Sequence, residues 1–506
     1  MPLSNRRWNA SRNELLLSIG LVATTAAVVA VLHIPGLTHG PTLDGAVFTE
    51  VADRLLHGGA PYVGAWDHKP PGIYWTLAAV RALIPGIDPW HVTWVVSVLA
   101  TTGLALVAAL LSEDLPQRAA IALVTAIYAS AYPIALGGGQ TETPAALLVI
   151  AALVLTLRPG LSARRVFVAG ILSCGSLLYS FEVLPIVLVV AALAISNAPG
   201  WVNRARSMVA GIAGAMSVAG PAALLVVSSG AAGPAWSQLV TYNIAYSALN
   251  RSQPFDWETT SRMYFVLLPL LAAAVLGARN MLAATPRLAQ WLVAPVLLGG
   301  VYIAWQARVE PHYLIPLLPL LAALAARCLG SFRQVGPTRI RLGVSAGLAV
   351  MAIVGVWMTI GWSRQLEVEF TNASAQGSVA SWLRENSRPG DTAFVWGNQP
   401  AVYYESGVEP TSPFVYVFPL LTPGYVTAGD VAQVVSAVGA PKARWVIDAG
   451  SAAPGLPGLV PLLVPRAVAV GDGRVANVVG PLREAVAAEY QEAAVVGGWI
   501  IYERRP

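Results

Sequence analysis

Apolar residues fill the first three quarters of the chain in long runs broken by short polar stretches, and many of the runs are long enough to cross a bilayer. Leu15 to Val31, Val92 to Leu111 and Ser207 to Ser228 are examples. The pattern predicts about eleven transmembrane helices, roughly at 14–33, 90–111, 119–136, 143–157, 166–180, 183–196, 208–229, 263–277, 289–306, 313–326 and 342–362. From about residue 364 the runs stop and shorter periods alternate. Gly377 to Asn386 and Val431 to Val438 read as helices, and Thr392 to Trp396 and Arg444 to Asp448 as buried strands. Pro481 to Tyr490 and Trp499 to Tyr502 extend them. The expected fold class is an α-helical polytopic membrane protein, with a membrane module over 1–363 and a small soluble C-terminal α/β domain over 364–506.

The stretch 35–89 is too apolar for a plain loop and too broken for a span. From Asp44 to Leu56 a helical stripe of Val47, Val51, Leu55 and Leu56 appears, which Asp44 is placed to cap. Ile73 to Ile84 is a second short helix after Pro70-Pro71, and both suit the membrane interface.

Composition sharpens this picture. The 506 residues are 56% hydrophobic and 11% charged, and the mean hydropathy of +0.62 excludes a single soluble core. The net charge of +5 does not point to nucleic acid, because the arginines are not gathered with interleaved aromatics. They follow topology instead. With the N-terminus inside, the inner connections hold Arg118, then Arg158, Arg164 and Arg165, then Arg204 and Arg206, then Arg279 and Arg287, then Arg327, Arg333, Arg339 and Arg341. The outer connections hold Asp44, Glu50, Asp53, Asp67, Asp88, Glu142, Glu182, Asp256, Glu258 and Glu310. An odd number of spans then places the C-terminal domain outside the cell. Arg6, Arg7 and Arg12 precede an uncleaved first helix, and the flanks of Arg6-Arg7 suit a twin-arginine signal poorly. Cys174 and Cys328 fall on different helices and offer neither a disulfide framework nor a CxxC metal site. Gly471-Asp472-Gly473 is a turn signal, not a nucleotide site. The Ala- and Gly-rich, Lys-poor composition fits a bacterial plasma membrane of a high-GC organism.

Three polar clusters lie on the outer side. The first is Asp44-Gly45 with Trp66-Asp67-His68-Lys69-Pro70-Pro71-Gly72-Ile73-Tyr74-Trp75, the second Gly137-Gly138-Gly139-Gln140-Thr141-Glu142, the third Arg308-Val309-Glu310-Pro311-His312-Tyr313. Polar groups this close to hydrocarbon are costly unless they serve a purpose. A carboxylate can take a proton, and Lys69 can hold a phosphate as a point charge. Plainer readings compete: Asp44 as a helix cap, Asp67 and Lys69 as an interfacial charge pair, Glu142 as a charge favoured by the helix dipole, Arg308, Glu310 and His312 as a solvated loop. Trp236, Tyr242, Tyr246 and Trp257 read as an aromatic belt.

The order Asp44, helix, Gly58-Gly59-Ala60-Pro61-Tyr62, then Trp66 to Trp75 resembles the first outer loop of the protein O-mannosyltransferase and aminoarabinose-transferase-like glycosyltransferases of the C superfamily. The Gly-rich turn ending in Glu142 resembles their second acidic motif, and Glu310-Pro311-His312-Tyr313-Leu314-Ile315-Pro316-Leu317-Leu318-Pro319 resembles the start of a late helix. Trp396-Gly397-Asn398-Gln399-Pro400 and Tyr403-Tyr404-Glu405-Ser406-Gly407 look like the tail of many bacterial members. The resemblance implies inverting transfer of a sugar, mannose first and arabinofuranose second, from a polyprenyl-phosphate sugar donor to a glycan, glycolipid or protein acceptor at the outer face of the bilayer. Asp44 is then the general base, Glu142 its partner, and Lys69, Arg308 and His312 the donor phosphate site. Asp67, His68, Tyr74, Glu310 and Tyr313 are further substrate contacts. Gly45 stands where many relatives have a second acid, which weakens a metal site there; no metal ligand is assigned, and a divalent cation stays open as a cofactor. His68 stands where relatives carry an acidic or polar residue. Two other functions fit the apolar bulk: a transporter or flippase of lipid-linked sugars, for which no internal repeat is visible, and a non-catalytic cell-envelope assembly protein, which leaves the first-loop cluster unexplained.

Overall fold

The computed structural model describes residues 12–38, 40–252, 257–306, 310–328, 373–450, 459 and 473–506. Arg308 and the helix expected at 342–362 lie outside the described residues. Packing divides the described chain into two compact units, one from Met1–Leu37, Trp94–Leu224 and Pro254–Arg364, the other from Thr38–Thr93, Leu225–Gln253 and Gln365–Pro506.

The first unit is helical. Its helices fall where the hydropathy predicts them, among them Arg12–Leu32, Leu115–Ser130, Glu142–Leu157, Ala163–Leu177 and Leu184–Ser196. Gly200–Ser228, Trp257–Ala284, Pro286–Trp305 and the turn-plus-helix from Pro311 to Ala326 complete the series. Among the described residues five helices are long and apolar enough to cross a membrane: Glu14–Leu32, Pro89–Ala109, Gly200–Ser228, Val266–Ala284 and Pro286–Trp305. Glu142–Leu157, Phe181–Ser196 and Pro311–Ala326 are apolar but shorter.

Burial separates two kinds of helix. Ala145, Ala146, Val149, Ile150, Ala152 and Leu153 on Glu142–Leu157 have no exposed surface, and every residue from Leu318 to Leu324 is buried. Gly200–Ser228 instead exposes Met208, Val209, Ile212, Met216, Leu224 and Leu225, and Arg12–Leu32 exposes Leu15, Leu16, Leu17 and Ile19. An apolar helix with an open apolar face is stable in lipid and unstable in water, so these faces are lipid-facing. Small residues set the spacing between helices. A Cβ on Gly277 would lie 1.8 Å from the carbonyl oxygen of Leu324, and one on Gly170 would lie 2.2 Å from that of Gly211.

The second unit packs first-loop helices, a middle segment and a sheet. Leu43–Leu56 and Gly72–Leu83 form the two predicted short helices and lie against each other. The five-stranded sheet has the order β2-β1-β3-β5-β4, with β1 Thr392–Trp396, β2 Glu409–Pro410, β3 Ala443–Asp448, β4 Tyr490–Val496 and β5 Trp499–Arg504. Strands β2, β1 and β3 run parallel, while β5 pairs antiparallel with both β3 and β4. Helix Ala428–Val438 starts on a capping box between Thr427 and Asp430, which fixes its entry before β3. Helices at 373–386 and Gly473–Glu489 flank the strands. The short β2, β4 and the helix Ala401–Ser406 are absent from the sequence expectation, because two to seven residues carry too little periodicity to read.

The Gly277 contact yields a direct expectation. Gly277→Ala forces the 257–284 and 318–326 helices apart and destabilises the bundle by about 1–3 kcal/mol. Thermal unfolding in detergent should register a lower Tm, whereas Gly20→Ala, where a Cβ meets nothing within 4 Å, should leave Tm in place.

Candidate active site

Helix Leu43–Leu56 begins at Thr42, whose hydroxyl accepts from the Gly45 amide at 3.3 Å. The cap is therefore Thr42, not Asp44. Asp44 sits half-buried in the first turn, two residues further on, with its carboxylate spared that role. Gly45 has a steric cause: a Cβ there would come within 2.7 Å of the Trp90 ring.

The same helix is tied to its surroundings by charge. Glu50, with no exposed surface, pairs with Arg54 at 2.8 Å, and Arg54 also reaches Glu409 at 3.4 Å. Asp53 pairs with Arg81 of the second short helix at 2.6 Å and with His57 at 3.4 Å. Burial pushes the Glu50 carboxyl up to about 8 despite the opposing Arg54 charge.

The loop from Tyr62 to Lys69 is closed by side chains. Tyr62 has φ 67°, a conformation that costs a non-glycine residue energy and that its buried setting enforces. Its hydroxyl donates to the Lys69 carbonyl oxygen at 3.0 Å. The Tyr74 hydroxyl donates to the Asp67 carboxylate and lies 3.1 Å from the same carbonyl oxygen. Asp67 is 2% exposed, with His68 Nδ1 at 3.3 Å and the Tyr416 hydroxyl donating at 3.3 Å to its Oδ1. Burial pushes the Asp67 carboxyl up, but His68 and the Tyr74 hydroxyl pull it further down, and the group ends below the usual carboxylate range. Burial and the Asp67 charge push the Tyr62, Tyr74 and Tyr416 hydroxyls up, so all three keep their protons as donors.

The middle segment supplies the rest of the frame. A π-helical stretch, Ser237–Tyr242, separates Ala232–Trp236 from Asn243–Ser252, and such widened turns often mark functional sites. Gln238 donates from Nε2 to the Tyr62 carbonyl at 2.7 Å and accepts from the Asp67 amide at 3.1 Å. Asn243 donates to the His68 carbonyl at 3.1 Å. Trp66 meets Tyr242, Tyr416, Tyr425 and Phe414 at ring distances of 4.6, 5.8, 5.8 and 6.4 Å, and its Nε1 donates to the Tyr425 hydroxyl at 2.9 Å. Tyr242 and Tyr246 stack at 5.5 Å, so these two belong to a packed aromatic cluster and not to a belt, while Trp236 is 67% exposed. Two cavities of about 570 and 770 Å³ meet at Pro423 and Gly424. Thr422 lines the larger and donates to the Tyr242 hydroxyl at 3.4 Å, which joins its wall to the cluster.

The other two motifs lie in the helical unit. Gly137, Gly138 and Gly139 have φ 81°, 120° and 85°, values open to glycine, and the Gly139 amide donates to Ser97 at 2.7 Å. The turn delivers Glu142 to the first position of its helix, fully buried, where Ser180 donates to Oε1 at 3.2 Å. The 3₁₀ turn Pro311–Leu317 packs against this helix. His312 and Tyr313 are 4% and 7% exposed with rings 4.8 Å apart, so they are core groups and not a solvated loop; Glu310 is half-buried. Gln306 donates to Glu182 at 2.7 Å.

Asp44, Asp67, His68, Lys69 and Tyr74 thus share one unit, and Glu142, Glu310, His312 and Tyr313 share the other. Sequence reasoning missed Ser180, Gln238, Asn243, Tyr416 and Tyr425. Gln238 and Asn243, polar amides close in sequence to the aromatic pair Tyr242 and Tyr246 in the outer segment, were visible signals for two of these. Among the described residues no group of three or more His, Cys, Asp or Glu side chains is placed to hold a metal ion.

No protein-family model and no curated protein matches the chain. Solved structures do. ArnT from Cupriavidus metallidurans bound to undecaprenyl phosphate is 15% identical with TM-score 0.60, covering 96% of this chain and 98% of that one; its apo state is 14% identical with TM-score 0.60 and the same coverage. The Archaeoglobus fulgidus oligosaccharyltransferase AglB, in complex with an inhibitory peptide and a dolichol-phosphate, is 12% identical with TM-score 0.51, covering 87% of this chain and 70% of that one. At these identities the likeness is one of fold, and the polytopic fold implied by the first-loop resemblance is the fold observed.

Glu50 makes the charged cluster pH-sensitive. Its folded value lies above its unfolded one, so its stabilising share is full below about pH 4.5 and is lost as pH rises toward about 8. Glu50→Gln keeps the neutral shape. Over about pH 5 to 9 the wild-type Tm should decline while that of Glu50→Gln stays flatter; parallel curves would refute the assignment.

Proposed function

We propose that the chain is a membrane glycosyltransferase that takes a sugar from a polyprenyl phosphate and passes it, with inversion, to an acceptor hydroxyl. The observation that carries this reading is the pairing, in one compact unit, of a half-buried carboxylate in a helix's first turn, Asp44, with a buried lysine whose loop is locked by Tyr62 and Tyr74. The fold shared with ArnT, solved with undecaprenyl phosphate, and with AglB, solved with a dolichol-phosphate, supports a lipid-phosphate donor.

In this mechanism the Asp44 carboxylate removes the proton of the acceptor hydroxyl as its oxygen attacks the anomeric carbon. The bond from that carbon to the phosphate oxygen breaks, and the polyprenyl phosphate leaves with the electron pair. Lys69 offsets the charge gathered on the phosphate. One displacement inverts the centre and needs no covalent sugar intermediate. For Glu142, orienting acceptor or donor sugar, and for Arg308 and His312, neutralising the leaving phosphate, the proposed roles rest on the motif resemblance. Mannose is the proposed sugar, with arabinofuranose the alternative that the assay separates. The proposed setting is a bacterial plasma membrane with the α/β domain on the outer side.

Purified protein in nanodiscs, given radiolabelled polyprenyl-phosphate mannose or arabinose and a membrane glycan extract, should transfer one label. Asp44→Asn should lower kcat by about 10²- to 10⁴-fold with folding and donor binding kept. Lys69→Ala should raise the donor KM about tenfold or more. Near-normal turnover in Asp44→Asn refutes the base assignment; lipid bound but neither label moved turns the reading toward another donor sugar or a transporter.

A further inference from the structure

Asp67 and the lysine beside it divide their work, and the division gives the C-terminal segment a part in the site. Asp67 is nearly without exposed surface and is engaged by Tyr74, His68 and Tyr416, while its amide is held by Gln238. A carboxylate so enclosed meets protein groups, not substrate. Its partner Tyr416 comes from a stretch anchored to the sheet: Thr411 donates to the Ala393 carbonyl at 2.8 Å, and Val417 donates to the Gly397 carbonyl at 3.2 Å. The same stretch receives the Trp66 amide on the Pro413 carbonyl at 2.7 Å and packs Phe414 and Tyr416 on the Trp66 ring. The Trp66–Lys69 strip is thereby held from three parts of the chain, by Tyr62 and Tyr74 at its end, by Gln238 and Asn243 along its length, and by residues 413–416 at its start.

We infer that Tyr416 is a positioning residue for donor binding: its hydroxyl, acting through Asp67, fixes the strip that carries Lys69, so the segment 411–417 completes the phosphate site. This deepens the glycosyltransferase reading and rests on it for the ligand, but the clamp itself is a property of the free protein. A lysine ammonium on a flexible stem binds phosphate well only if its backbone is fixed beforehand, because an unfixed loop must be ordered at the expense of affinity. Losing one hydrogen bond to a buried charged group should cost about tenfold.

The test uses full-length protein in nanodiscs and three chains: wild type, Tyr416→Phe and Tyr403→Phe. Tyr403 is the matched control, a buried tyrosine of the same unit whose hydroxyl accepts from the Val395 amide in the sheet. Hydrogen exchange of the Trp66–Lys69 amides is read without ligand, and binding of plain polyprenyl phosphate is read separately. Tyr416→Phe should speed exchange in the strip and weaken binding about tenfold with kcat at saturating donor nearly kept. Tyr403→Phe should leave both at wild-type values even where it lowers Tm. Unchanged exchange in Tyr416→Phe, or the same changes in Tyr403→Phe, overturns the inference. A wild-type chain that binds no polyprenyl phosphate overturns the donor reading instead, and the exchange data then decide the clamp alone.

Discussion

A carboxylate taken out of water must be met by donors, or it unfolds what surrounds it; the effective penalty for a lone buried ion is several kcal/mol. Asp67 imposes that constraint on the second unit. The groups around it come from separate stretches of chain: the Tyr74 hydroxyl of the first loop and the Tyr416 hydroxyl of the C-terminal part donate to the carboxylate, His68 Nδ1 lies 3.3 Å from it, and Gln238 of the middle segment accepts from its backbone amide. The three pieces of the unit, far apart in sequence, meet at this one residue, the first loop and the C-terminal part at its carboxylate and the middle segment at its amide. Burial, and after it the same charge, pushes the Tyr74 and Tyr416 hydroxyls up, since a proton is hard to remove out of water and beside an anion.

The helical unit solves a related problem in a different solvent. Hydrocarbon offers no hydrogen bonds, so polar side chains there are placed at helix ends, inside the bundle, with partners at hand. Glu142 begins its helix and takes a bond from Ser180, Glu182 takes one from Gln306, and the faces that meet lipid carry Leu, Val, Ile and Met. Close helix contacts at Gly170 and Gly277 leave room for this arrangement, because backbones that approach without side chains free volume elsewhere for larger groups.

What the sequence made legible follows from the length scale of each signal. Membrane-spanning runs of about twenty residues carry a strong hydropathy signature, and the helices fall close to the positions it predicts. Strands β1 and β3 were legible as apolar runs of five or six residues; β2, with two residues, was not. In the site, Lys69 and Asp67 were visible as charges beside a double proline. The groups that hold them were not: Tyr416 lies 349 positions from Asp67, and no local pattern links residues brought together by a tertiary fold. Of the two readings that Asp44 admits, helix cap or base, the structure gives the cap to a threonine two residues earlier. Both residues suit an N-cap chemically, and only the backbone geometry at Thr42 separates them.

Gly45 shows how such geometry bears on chemistry. Read as sequence, it is a missing acid. In the fold it is a position where Trp90 occupies the space that a side chain would need. A second carboxylate beside Asp44 would require a smaller residue at 90, so the two positions are sterically coupled and neither can change freely alone. The consequence for the proposed reaction concerns charge. With a tryptophan ring against the helix start in place of an anion, the carboxylate at position 44 has no acidic neighbour at position 45. In the proposed reaction, the placement of Asp44 against the acceptor would rest on its helix, which the Asp53–Arg81 ion pair ties to the second short helix.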